Sequence, residues 1–269
     1  MRSEPVVLLS ALVLLILLAA CLFTPLLPLA PYSRIDLENR LLSPCRQHYL
    51  GTDELGRDIL SRLLSGGRVS LLISLIVVSI SLFTGTVIGS ICGYTGGWID
   101  EVVMRVADVL LAFPGILLAI GLIAVLGPST GSVVTALIIL GWVAYARLAR
   151  SLTLKLRKLD FVNSSLSIGA SPARILIRHV LPNLLPTLIV QASFGFAGII
   201  LAESSLSFLG LGVQPPQPSW GSMLSDGKNH LLDAPHLTVF PGLAIFLSVL
   251  CLNLLGDALR DRLDPRRSL

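Results

Sequence analysis

A chain of 269 residues that is 54% hydrophobic and only 13% charged, with a mean hydropathy of +0.83, excludes a soluble globular domain. The net charge of +4 reads as a topology signal and calls for no nucleic-acid partner. No G-x-x-x-x-G-K-[ST] string and no H-E-x-x-H string occurs, so P-loop nucleotide hydrolysis and zinc-dependent proteolysis within the membrane are excluded.

Long uncharged runs cover Val6–Leu29, Val69–Ile99, Val109–Ala146, Val180–Ala202 and Leu237–Gly256. An apolar helix needs about 20 residues to cross a bilayer. The run 109–146 is too long for one crossing, and Gly127-Pro128-Ser129-Thr130-Gly131 interrupts it. Six spans result: an all-α membrane protein. With the N-terminus inside, thirteen of the 20 Lys and Arg fall on inner segments, which predicts cytoplasmic termini. The four cysteines form no framework, since Cys21, Cys92 and Cys251 lie in spans and Cys45 stands alone outside.

Taken in order, residues 1–30 read as an uncleaved first span or as a signal peptide. The uncleaved span is preferred because Pro31 follows the small-residue site. In the outer segment 31–68, Thr52 or Asp53 is expected to cap an amphipathic helix at the membrane surface. Leu55, Ile59, Leu60, Leu63 and Leu64 share one face of it, and Arg57, Asp58 and Arg62 the other. The second span, about Val69–Tyr94, carries Gly85, Gly89 and Gly93 at four-residue spacing, a helix-packing stripe. An inner loop over Tyr94–Arg105 and a bend at Phe113-Pro114-Gly115 are expected next. Asp108 either snorkels or pairs with Arg105, or else serves transport. The fourth span, Ser132–Arg147, continues inward as a helix with a basic stem.

Asp160–Pro182 is a polar, basic island between two apolar runs. Asp160 is an N-cap, and Gly169 sits where a left-handed residue closes a short helix. Ser171 and Pro172 start a second helix, expected to stop near Leu181 because Pro182 follows. The fifth span, Asn183–Leu209, holds Glu203 near its outer end. That carboxyl should face the bundle interior or a wet cavity, either lining a path or making a packing hydrogen bond. In the outer loop 214–236, Trp220–Leu232 can form a short helix, suited to contact with a soluble donor protein or to an interfacial plug. The sixth span is Phe240–Leu255, followed by a basic tail.

Several strings carry a resemblance. Ser164 and Ser165, then Gly169, then Leu181-Pro182 resemble the EAA loop of ABC-importer permeases. Asn163-Ser164-Ser165 stands where Glu-Ala-Ala is usual, and His179 replaces an isoleucine, so the glutamate's role does not carry over. Gly51-Thr52-Asp53 with Gly56-Arg57-Asp58, the string from Gly93 to Ile120 and ESSLSFLGLG from Glu203 resemble the dipeptide, oligopeptide and nickel permease subfamily. The resemblance implies an ABC importer type I permease architecture, without catalysis or cofactor in this chain. It implies a second homologous permease completing the path, two ATP-binding subunits that hold ATP and magnesium, and an extracytoplasmic solute-binding protein, in a cell inner membrane. The N-terminal span and amphipathic segment would occupy 1–68 and a five-helix permease core 69–269, with a cytoplasmic coupling loop at 157–182. Within that loop the coupling residues are Asn163, Ser164, Ser165, Gly169, Ala170, Arg174, Leu181 and Pro182, while Glu203 and Asp108 are candidates for the path. Peptide is the favoured solute and nickel the alternative. A stand-alone ion-coupled transporter using Asp108 and Glu203 is a further reading.

Overall fold

Residues 4–167 and 169–263 are described in the structure, a computed structural model, with the backbone alone at Asn163, Leu166 and Ser167. The α-helices among them are α1 (Glu4–Leu22), α2 (Ile59–Thr95), α3 (Gly97–Leu111), α4 (Gly115–Leu126) and α5 (Thr130–Leu156). They continue with α6 (Asp160–Ser167), α7 (Pro172–Ile175), α8 (Leu181–Phe208), α9 (Trp220–Gly227) and α10 (His236–Leu263). Five stretches are long and apolar enough to cross a membrane, six when the bent pair α3–α4 is one span. Five of the six expected spans are thus single helices, and the third is divided between α3 and α4.

The parallel helices α2 and α5 form the spine. A Cβ on Gly85 would strike the Trp142 carbonyl oxygen, one on Gly89 the Ala146 carbonyl oxygen, and one on Gly93 the Arg150 carbonyl oxygen. The glycine stripe thus lets two backbones touch over two turns, where dispersion and close approach replace the hydrophobic effect. Around the spine, Ile73, Val77, Ile123, Val133, Leu137 and Leu206 join α2, α4, α5 and α8 in one buried cluster. The helix α1 lies along α10 and α2.

Three expectations change. The amphipathic segment does not start a surface helix at Thr52 or Asp53. Asp58 is the N-cap, accepting from Ser61 N at 2.8 Å, and α2 then runs unbroken to Thr95. At 1.5 Å per residue this helix is about 55 Å long, against a hydrocarbon core of about 30 Å. Residues 68 and 69, the expected division of the chain, both lie inside it. Secondly, the inner loop over Tyr94–Arg105 is mostly helix: α3 starts at Gly97. The bend at Phe113-Pro114-Gly115 turns α3 from α4 by 91°. Such a right angle leaves α3 across the end of the bundle, with Trp98, Val102, Val106 and Val109 exposed.

Thirdly, the helix entered at Pro172 does not stop at Leu181. A π turn over Leu176–Val180 carries it into α8, with Leu181 N donating to Leu176 O. The wide turn supplies the missing reason. A proline ring collides with the carbonyl four residues back in a regular helix, and an extra residue in the ladder displaces that carbonyl. Asn183 Nδ2 then donates to His179 O at 2.6 Å.

Candidate functional site

The corner at one end of the bundle is assembled from α5, α6, α7 and the start of α8. Arg157 caps α5 and donates from Nη1 to Tyr94 O at 2.7 Å, tying the ends of α5 and α2 together. After α6, Gly169 takes φ +80°, the left-handed residue that its place required, and Ala170 N donates to Ser165 O at 3.0 Å. Ser171 caps α7 by accepting from Arg174 N, with Pro172 at the first helical position. The inner side of the corner is apolar and sealed: Val162, Ile175, Val180, Leu184 and Leu188 pack on Tyr145 and Ala149 of α5.

The outer side is open. Phe161, Ser164, Pro172, Arg174, Ile177 and Arg178 are exposed, Ile177 to 65%. Gly169 and Pro182 are exposed too, while Ser165, Ala170 and Leu181 are half-buried. The structure thus brings Ser164, Ser165, Gly169, Ala170, Arg174, Leu181 and Pro182 to one corner. The side chain of Asn163 lies outside what is described. The ring of Phe161 meets His179 at 6.2 Å between centroids, tilted by 53°, so the non-isoleucine residue joins the exposed rim to the π turn.

Asp108 does not pair with Arg105. Arg105 faces Glu101 at 3.8 Å, and Asp108 lies 3.6 Å from Arg147 of α5. Both pairs are exposed and contribute little. The stronger link was not foreseen: Arg150 of α5 grips Asp100 of α3 through Nε at 2.5 Å and Nη2 at 2.6 Å. Arg150 lies three residues from Arg147 on the basic stem, and nothing in sequence order distinguishes the two.

Glu203 stands at the opposite end, fully buried among α2, α8 and α9. Ser207 Oγ donates to its Oε1 at 2.7 Å, and the hydroxyls of Ser70, Ser219 and Ser204 also approach the carboxyl. Oε2 has no well-aligned donor of its own. This geometry joins α2, α8 and the start of α9 through hydroxyl contacts to one buried carboxyl. Trp220, at the head of α9, is equally buried and donates from Nε1 to Leu63 O at 3.0 Å. The loop bearing α9 is therefore packed into the bundle through Trp220.

Beside that plug lies a cluster that the sequence reading placed at a membrane surface. Asp53 receives Arg57 Nε at 2.6 Å, and Arg62 Nη2 donates to Asp226 of α9 at 2.9 Å. Arg62 Nη1 lies 2.9 Å from Asp53 without hydrogen-bond alignment. Arg57 and Arg62 are buried and not spread along the polar face of a surface helix, because each has a carboxylate to meet. Burial pushes the Asp226 carboxyl above its ordinary value, against the pull of Arg62 and Arg57. One signal was available: Asp53 and Arg57, like Asp58 and Arg62, are oppositely charged four residues apart.

Across residues 85–269 the chain matches the family described as binding-protein-dependent transport system inner membrane component. It belongs to that family. Among similar permeases, the glutathione transport system permease protein of Pectobacterium atrosepticum is 44% identical over 266 residues, covering 99% of this chain and 88% of the relative. The dipeptide transport system permease protein of Alkalihalophilus pseudofirmus is 44% identical over 245 residues, covering 91% and 81%. An inward-facing MetNI methionine ABC transporter structure shares the fold, with a TM-score of 0.60 at 18% identity, over 75% of this permease chain and 96% of that one. The permease is thus a membrane component of an ABC importer and not its catalytic part.

Proposed function

We propose that this permease imports small peptides, pairing with a second homologous permease and driven by two ATP-binding subunits docked on the corner. The observation that carries the docking is the two-sided corner: an exposed rim of Phe161, Arg174, Ile177 and Arg178 on a base sealed by Val162, Ile175 and Val180. A rim fixed to α5 and continuous with α8 transmits a push into two spans, whereas a slack loop would absorb it. The distribution of Lys and Arg supports placing this end, and both termini, in the cytoplasm of an inner membrane. ATP and magnesium are then held by the partners, and an extracytoplasmic solute-binding protein meets the end bearing α9.

Peptide is favoured over nickel by the dipeptide and glutathione permeases among the relatives. The test is reconstitution with the partner subunits. Arg174→Glu together with Ile177→Asp should abolish capture of the ATP-binding subunits while leaving the two permeases paired. Uptake of a labelled dipeptide, with no uptake of nickel, should require all components. Flux through this chain alone under a proton gradient would favour an ion-coupled transporter and overturn the proposal.

A further inference from the structure

Two hollows at the α9 end of the bundle meet at the same residues. One is an apolar groove of about 660 Å³ between α1, α2 and α10, floored by residues such as Leu15, Leu18, Leu71 and Leu75. The other, about 430 Å³, lies beside the stretch after α1 and includes Tyr32 and Ser65. Arg68 and Leu72 line both. The groove runs along α1 from Ala11 to Phe23, about 18 Å at the helical rise. That is close to one leaflet, half of a hydrocarbon core of about 30 Å.

Arg68 is the last charged residue before the uncharged run 69–99, so it sits at head-group level. Among the described residues its guanidinium has no ion pair or hydrogen bond, and the hydroxyls of Ser65 and Tyr32 likewise have no partner. Arg57 and Arg62 are buried and paired within the chain, whereas Arg68 is exposed at the mouth of both hollows. A cation that shares one hollow with two hydroxyl-bearing side chains fits a phosphate. Directly below it, a leaflet-deep apolar groove fits an acyl chain.

We infer that this is a phospholipid-binding site, in which Arg68, Ser65 and Tyr32 hold the head-group phosphate and one acyl chain lies in the groove between α1 and α2. A lipid seated there wedges α1 against α2. It thereby joins the first span to the bundle where the direct protein contact is open.

The test uses the assembled importer in phosphatidylethanolamine and phosphatidylglycerol vesicles, doped with a phosphatidylglycerol carrying a photoreactive group on one acyl chain. Cross-links should concentrate on residues 11–22 and 71–75. Arg68→Gln should lower that labelling about tenfold, as expected for loss of a charge-assisted contact, while Arg68→Lys keeps most of it. Excess inorganic phosphate should not compete, because the acyl chain supplies the rest of the affinity. Several results would overturn the site. They are equal labelling in Arg68→Gln, labelling spread over every outward helix face, displacement by inorganic phosphate, or a partner permease covalently captured at Leu15 or Leu72 through a photoreactive residue placed there. Thermal unfolding of both Arg68 variants checks that the fold is intact.

Discussion

The plug at one end of this bundle and the corner at the other are fixed to it by different means. At the α9 end the ties are polar and buried: Asp53, Arg57, Arg62 and Asp226 in one cluster, and Glu203 with its serines in another. At the corner, α6, α7 and the start of α8 rest on α5 through apolar contacts, and the charges of Arg174 and Arg178 face outward. The polar ties of Arg150 and Arg157 lie beside it on α5. A buried ion pair tolerates little displacement, because moving one partner strands the other in low dielectric. Apolar contacts slide at smaller cost and have no preferred direction. The difference suits a fixed cap at one end and a driven, dockable surface at the other.

The sharpest way to break this comparison is at Arg62. Arg62→Ala leaves Asp53 held by Arg57 alone and removes the 2.9 Å bond to Asp226, which keeps only Arg57 at 3.7 Å, so stability should fall by about 2–3 kcal/mol. Thermal unfolding of the detergent-solubilised complex reads this, and an unchanged midpoint would mean that the cap is held by packing alone.

Next comes the lock on α3. Asp100→Ala removes both bonds to Arg150, one third of whose side chain is exposed. The loss should be about 1–2 kcal/mol after allowance for solvent screening. Hydrogen exchange should rise across 97–111 before any change in α5, and uniform exchange across both helices would count against a local lock.

Gly169→Val addresses the corner itself. Nothing lies within 4 Å of the added Cβ, so the cost is the left-handed backbone alone, about 1–2 kcal/mol. ATP hydrolysis should continue while transport falls, and Gly169→Asn should restore coupling because asparagine tolerates that conformation. Transport at full rate in the valine variant would show that the corner's shape is not used.

The smallest expected effect is that of Glu203→Gln. Glu203→Gln keeps a carbonyl oxygen for Ser207 and should change stability by less than about 1 kcal/mol, whereas Glu203→Leu leaves several hydroxyls unmet and should cost about 2–3 kcal/mol. If the glutamine variant instead altered uptake kinetics with assembly intact, the carboxyl would belong to the path after all.

Much of the architecture follows from composition and local chemistry. Bilayer thickness converts apolar runs into spans, and a proline flanked by glycine converts one run into a bent pair. Gly85, Gly89 and Gly93 announced a backbone contact because few other interactions make a four-residue glycine stripe useful. Gly169 announced its own conformation for the same local reason. What remained hidden was pairing across long separations. That Arg62 meets Asp226, that Arg150 and not Arg147 grips Asp100, and that Glu203 gathers serines from α2, α8 and α9 depend on which helix faces meet. The π turn before Pro182 belongs to the same class, since a proline read locally ends a helix and only the continuous packing of Val180 and Leu184 on α5 holds the ladder through it. The spans were determined by the sequence, because hydrophobicity is a property of each stretch by itself. The partners of the charges were decided by the fold, because an ion pair is a property of two places at once.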